Sequence, residues 1–285
     1  MLREPECFSP KHRISIDYFH GNPSTGPVFA ELYEQLKRQR DSITRLRVSH
    51  SLMETQALEA GLPPARVRRI PIGIEIERFE PVTRASRASA RRALGLPEAA
   101  VVIGSFQKDG VGWGEGLEPK MIKGPDVLVA ALVALKDRVP ELTALLTGPA
   151  RGFVKNGLSA GGVPFVHLDN ADKTAVNRSF HALDAYAIAS RDEGGPKSLL
   201  EAMAVGIPVV TTRVGQAIDL ARSGENAWVV ESEDVDGLVD GLARVLTDGT
   251  FRDGMVIQGR RTAEANSHGS LTTVWADFFH GYLES

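Results

Sequence analysis

From residue 100 onward, short apolar runs alternate with stretches of helical periodicity, and this alternation narrows the fold more than any other feature. Residues 100–104, 142–148, 164–168, 185–189, 208–212 and 227–230 read as strands. Residues 125–135, 197–205 and 234–246 read as helices, the last apolar at Val235, Leu238, Val239, Leu242, Val245 and Leu246. Apolar strands interleaved with helices are buried on both faces, so the pattern predicts a parallel sheet covered by helices on each side. Such a sheet binds ligands beyond the carboxyl ends of its strands. The chemistry is therefore sought just after each run.

The first part of the chain carries the same alternation less clearly. Residues 14–19 alternate like a short strand, and His20-Gly21-Asn22-Pro23 breaks it. Residues 28–40 read as a helix with Phe29, Leu32 and Leu36 on one face. Residues 43–50 read as a strand, 51–60 as a helix closed by Gly61 with Pro63-Pro64 beyond, and 67–72 as a buried strand before Gly73. Residues 81–90, with Pro81, Thr83, Ser86 and Ser89, read as a connector. A length of 285 residues suits two domains. The division expected is 1–80 and 81–262, with 263–285 as a C-terminal helix.

Charge and cysteine content exclude several classes. Lys+Arg 33 against Asp+Glu 36 lacks the basic surplus of a dedicated nucleic-acid binder. The single cysteine, Cys7, forms no internal disulfide and no Cys-rich zinc site, so a reducing compartment is the default. The longest purely apolar run, 127–135, has nine residues where a membrane span needs about twenty. The acidic N-terminus does not read as a signal peptide, which makes a cytoplasmic location the expectation. Charge is uneven: residues 1–100 carry net +4 and the rest net −7. The basic excess gathers at Lys37, Arg38, Arg40, Arg45 and Arg47. It reads either as a contact with an anionic membrane surface or acceptor, or as a solvated helix face.

The stretch 190–204 is the richest in chemistry. A strand ends, Gly194 and Gly195 follow, and Pro196 stands where the first helical residue belongs. The next amides point out of a helix N-terminus, where the dipole attracts an anion, and Lys197 and Ser198 add a cation and a hydroxyl. This suits a phosphate or pyrophosphate. Glu193 lies before the turn and Glu201 inside the helix, with seven residues between them. One carboxylate is placed for sugar hydroxyls at the helix mouth and the other for ribose hydroxyls alongside it. The plainer reading is a capped amphipathic helix with two solvated acids.

Three stretches precede this one in order: Ile70-Pro-Ile-Gly-Ile-Glu-Ile-Glu-Arg-Phe79, Lys123-Gly124-Pro125-Asp126 and Thr147-Gly148-Pro149. Together with the two spaced glutamates and Ala-Met-Ala-x-Gly-x-Pro-Val-Val, they resemble the retaining nucleotide-sugar glycosyltransferases of family 4, the group 1 transferases. The resemblance covers residues 14–285 and implies the GT-B fold, two Rossmann-like domains facing across a cleft. It implies that Glu193 contacts donor-sugar hydroxyls, that Gly194, Gly195, Pro196, Lys197 and Ser198 supply amides and polar groups to sugar and pyrophosphate, and that Glu201 holds the ribose. Lys123 then neutralises the pyrophosphate, and Lys108 stands where the family has an arginine. Gly148 borders the donor, and the nucleobase lies near Val166 and Leu168. His20 falls on the acceptor side. Asp219 stands where the family has a glutamate after two glycines. The glycine-rich insertion 109–116 reads as a mobile loop over the donor or as a plain connector.

The resemblance further implies a complete N-terminal domain of roughly 150–200 residues, an ordinary domain size. Only about 80 residues precede the connector here. A fragment, a natural short form, or one half of a pair is therefore expected, with residues 271–283 crossing back to the N-terminal part. The implied reaction moves a sugar from a nucleotide-diphosphate donor to a saccharide, lipid-linked or small-molecule acceptor, without cofactor or metal. Front-face attack is expected, with Glu193 positioning the sugar and Lys123 and Lys108 stabilising the leaving phosphate. Two rivals stand beside it: a nucleotide-sugar-binding module that needs a partner, and a GT-B-fold epimerase. A glycoside hydrolase also uses two carboxylates but has no need of the lysines or the phosphate-type turn.

Overall fold

The structure is a computed structural model that describes residues 12–18, 21–169 and 172–282. His20 and Cys7 lie outside the described residues. The N-terminal unit runs β1 (Ser15–Tyr18), α1 (Pro27–Gln39), β2 (Arg45–Val48), α2 (Ser51–Glu59) and β3 (Val67–Arg69). Its strands form a parallel sheet in the order β1-β2-β3. Tyr18, Leu36, Ile43, Leu46, Val48, Met53 and Val67 form its core.

The larger unit contains α3 (Arg84–Ala93), β4 (Val101–Phe106), α4 (Pro125–Lys136), β5 (Leu142–Thr147), α5 (Gly152–Ala160), β6 (Phe165–Leu168), α6 (Lys173–Phe180), β7 (Ala185–Ile188), α7 (Lys197–Val205), β8 (Val209–Thr212), α8 (Ala217–Leu220), β9 (Trp228–Val230), α9 (Val235–Thr247), α10 (Gly249–Ala265) and α11 (His268–Phe279). Its six strands are parallel in the order β6-β5-β4-β7-β8-β9. The chain winds outward through β5 and β6, then restarts on the other side of β4 with β7. This reversal leaves a crevice at the ends of β4 and β7, where an open parallel sheet takes its ligand. One apolar core lies on each face of the sheet.

Residues 81–90 are not a connector. The Thr83 and Ser86 side chains bond reciprocally to each other's backbone N–H, a capping box that starts α3. The serines and threonine that suggested a loop are the helix start signal. Arg87 and Arg91 then hold α3 to Asp184 at 2.7 and 2.6 Å. Val67 belongs to the N-terminal core and Ile74 to the larger unit's core.

The C-terminal helix α11 packs on the N-terminal sheet, and this rewrites the basic patch. Arg47 is 3% exposed, pairs with Asp17 at 2.8 Å and faces the Trp275 ring. Arg45 faces Phe278 and Tyr282 and donates to the His280 carbonyl. Lys37 pairs with Glu34 and lies over Tyr33. Arg38 and Arg40 are exposed. The five cations thus divide between an internal seam and a helix surface. Among the described residues no helix is long and apolar enough to cross a membrane.

Candidate functional site

Three glycine-dependent close approaches build the crevice. Gly124 has φ +58°, and a Cβ there would lie 1.9 Å from the Ala189 carbonyl oxygen. Only glycine lets the Lys123 segment close on the end of β7. Gly148, at φ +92°, is pressed in the same way against the Gln107 carbonyl. Gly195 leaves room for Ile72 and Gln216. The turn 121–123 also accepts two backbone bonds at the Ile122 carbonyl, from Arg191 at 2.8 Å and Asp192 at 3.1 Å. These contacts set Lys123 against Glu193.

The Lys123 ammonium lies 2.5 Å from Glu193 Oε2, with 17% and 11% of the two side chains exposed. Ser190 Oγ donates to Glu193 Oε1 at 3.0 Å, and Gln107 Nε2 donates to the Lys123 carbonyl at 3.1 Å. Pro196 is the N-cap of α7, one position earlier than the sequence reading placed it, and Lys197 is the first helical residue. The first amides of a helix have no partner within it, so those of Lys197 and Ser198 carry the positive end of α7.

A cavity of about 370 Å³ opens here, lined by Phe106, Gln107, Lys108, Lys120, Lys123, Tyr186, Ala187, Ile188, Glu193, Gly195, Pro196, Lys197, Ser198 and Glu201. Four lysines face two glutamates in it. Burial pushes the Glu201 carboxyl above its ordinary range, opposed by the charge of Lys197. Burial and the charge of Lys123 both hold Lys120 below the ordinary lysine range. An anion would relieve the crowding of like charge among Lys108, Lys120 and Lys123.

The structure thus joins Lys108, Lys123, Glu193, Gly195, Pro196, Lys197, Ser198 and Glu201 in one cavity. Gly194 lies beside it, its carbonyl accepting from Ser49 Oγ of the N-terminal unit. Gly148 shapes the backbone behind Gln107 and does not line the cavity. Val166 and Leu168 are also outside it. They share one face of β6, because side chains two apart on a strand point the same way. That face looks toward α3: Val166 packs on the same core as Ala90 and Leu94, and Leu168 lines a separate cavity with these two. Asp219 turns away too, accepting from the Ser51 N–H at the start of α2 at 2.8 Å and pairing with Arg69 at 3.3 Å.

Two contributors escaped the sequence reading. Lys120 is twelve residues after Lys108 and follows the glycine-rich insertion, its N–H donating to the Asp109 carbonyl at 2.7 Å as the chain returns to the cavity. The insertion is also less free than a mobile loop. Arg151, fully buried, lies 3.0 Å from Asp109 and donates to the carbonyls of Ser105, Gln107 and Thr147. Asp192 was passed over as well. It accepts from Asn22 N–H at 3.2 Å and Thr25 Oγ1 at 2.9 Å, binding the two units. Among the described residues no group of three or more His, Cys, Asp or Glu could hold a metal.

A parallel sheet with an amide-and-lysine anion mouth at its switch point, facing a second parallel α/β unit, is the GT-B arrangement. A structure of Anabaena HepE in complex with UDP and glucose superposes with a TM-score of 0.79 at 18% identity, over 95% of this chain and 72% of that one. The structure of WaaG, a glycosyltransferase involved in lipopolysaccharide biosynthesis, superposes with a TM-score of 0.74 at 19% identity, over 98% and 80%. The family described as Glycosyl transferases group 1 matches residues 117–262, just over half of the chain, and the chain belongs to this family. A D-inositol 3-phosphate glycosyltransferase of Corynebacterium urealyticum is 29% identical over 208 residues, 67% of this chain and 45% of that protein. A lipopolysaccharide core biosynthesis mannosyltransferase of Rhizobium meliloti is 29% identical over 185 residues, 62% and 49%. The chain spans about half the length of these curated relatives.

Proposed function

We propose that the chain moves a glycosyl unit from a nucleoside-diphosphate sugar to an acceptor hydroxyl, with retention of configuration. The observation that carries this is one cavity in which the Lys123–Glu193 pair meets the amide mouth of α7 and three further lysines. The diphosphate lies against Lys123, Lys108, Lys120 and the first amides of α7. Glu193 takes hydroxyls of the donor sugar, and the half-buried Glu201 takes those of the ribose.

In the reaction the bond from the anomeric carbon to the β-phosphate oxygen breaks, and its electron pair stays on that oxygen. The lysines and helix dipole stabilise the charge that grows there. The acceptor oxygen attacks from the same face, and its proton passes to the departing phosphate oxygen. Glu193 orients the sugar, since its carboxylate is already engaged by Lys123 and Ser190. The lysines supply the positive charge, so no metal is assigned a role.

Relatives named as inositol-phosphate and lipopolysaccharide-core transferases support a hydroxyl-bearing acceptor, a saccharide, a lipid-linked sugar or a small polyol. The test is incubation of the full chain with UDP-, GDP- and ADP-sugars, measuring release of the nucleoside diphosphate and the anomeric configuration of the product by NMR. Nucleotide binding without release refutes catalysis by this chain. Conversion of the donor to its epimer refutes transfer.

A further inference from the structure

Trp113 is 82% exposed, more than any other large apolar side chain among the described residues. It stands at the tip of the loop 109–116, where every second residue from Gly110 to Gly116 is glycine. The foot of that loop is pinned: a Cβ at Gly110 or Gly116 would lie 2.3 or 2.0 Å from the Ala150 carbonyl oxygen. Gly152 and Phe153 N–H groups at the start of α5 donate to the carbonyls of Glu115 and Gly116 at 2.7 and 2.8 Å. The tip is open: Gly112 and Gly114, on either side of Trp113, have no atom within 4 Å of a Cβ built on them. An indole held out on a pinned loop presents most of its surface to solvent.

A charged neighbour tells what the ring serves. The Lys108 ammonium lies 3.6 Å from the Trp113 ring centroid, and Lys108 lines the anion cavity. Sheet order then fixes the side of the cavity on which the ring stands. Glu193, the sugar-side carboxylate, follows β7 on one flank of β4. The loop is moored over the β5–α5 turn, on the other flank. With the sugar at Glu193 and the ribose at Glu201, both on the β7 flank, the base is the part of the donor left to reach the loop beyond Lys108.

On the nucleotide-sugar reading above, we propose that Trp113 is the stacking face for the donor's nucleobase. A planar heteroaromatic base matches an indole face. The diphosphate draws the Lys108 ammonium by a charge-assisted contact, which outweighs a cation–π contact at an exposed ring. Lys108 thereby links phosphate and base recognition. Stacking accepts every base, so Trp113 adds affinity without choosing between uracil, guanine and adenine.

The experiment is calorimetry on the full chain with UDP, GDP, ADP and inorganic pyrophosphate, using wild type, Trp113→Ala and Trp113→Phe. Trp113→Ala is expected to weaken the best nucleoside diphosphate about tenfold and pyrophosphate less than about twofold, while Trp113→Phe keeps most of the affinity. An exposed tip carries no core packing, so the variants fold. Unchanged nucleotide affinity in Trp113→Ala overturns the proposal. So does an equal loss for pyrophosphate, which makes Trp113 only a holder of Lys108. A wild type that binds none of the three nucleotides overturns the nucleotide-sugar reading itself, and this proposal with it.

Discussion

Replacing Lys123 with alanine tests the site at its centre. The ammonium lies 2.5 Å from Glu193 in a partly exposed crevice. With an effective dielectric of about 20, a unit charge about 4 Å away contributes about 4 kcal/mol, so half a charge gained by the leaving phosphate contributes about 2 kcal/mol. That is roughly 30-fold in kcat. Removal of one preorganised donor from an oxyanion site costs about 100-fold or more, which places the expected loss between the two. Lys108, Lys120 and the α7 amides still hold the donor, so KM should rise less than kcat falls. Steady-state release of nucleoside diphosphate, with kcat and KM resolved, is the assay. The double variant Lys123→Ala/Glu193→Gln removes the carboxylate left unpaired and should recover only binding. A rise in KM at unchanged kcat would make Lys123 a uniform binder and refute the argument.

Three other outcomes follow from burial and charge. Glu201 has its folded-state pKa raised by burial, so its ionisation opposes folding at neutral pH and that penalty vanishes as pH falls below the ordinary glutamate value. Glu201→Gln should therefore melt higher than wild type at pH 7, with the gap closing toward about pH 4, and should weaken nucleotides about tenfold but spare pyrophosphate; scanning calorimetry and titration check both. Lys120, held below its ordinary pKa, should take up a proton when a diphosphate binds at an alkaline pH below the ordinary lysine value, giving a buffer-dependent enthalpy that Lys120→Ala abolishes. Arg151→Ala strands buried Asp109 and should cost about 3–5 kcal/mol in urea unfolding, where a loss under about 1 kcal/mol would contradict the pairing.

The parallel sheet was legible because β4, β5, β7 and β8 are short apolar runs, and burial on both faces leaves no other composition for them. Helices α5 and α10 were hidden by their glycines. Gly157 and Gly161 are where Val129 and Val133 of α4 press in, and Gly259 lies against Met203, so these glycines serve packing between helices rather than local propensity. The helix start at Lys197 and the turn at Lys123 were readable because Gly194-Gly195-Pro196 and Lys123-Gly124 encode them locally. Asp192 and the placement of Asp219 were not, since each depends on a partner far along the chain.

The stretch from Arg191 to Gly194 behaves as a zipper with alternate teeth. Arg191 grips Asp126 in the larger unit at 2.7 Å, Asp192 takes Asn22 and Thr25 from the smaller, Glu193 returns to Lys123, and Gly194 meets Ser49. Neighbouring residues therefore answer to opposite banks of the cleft. Any rocking of one bank against the other reaches the Glu193 carboxylate through a single peptide unit, which makes the angle between the two halves a setting of Glu193 as much as a matter of access.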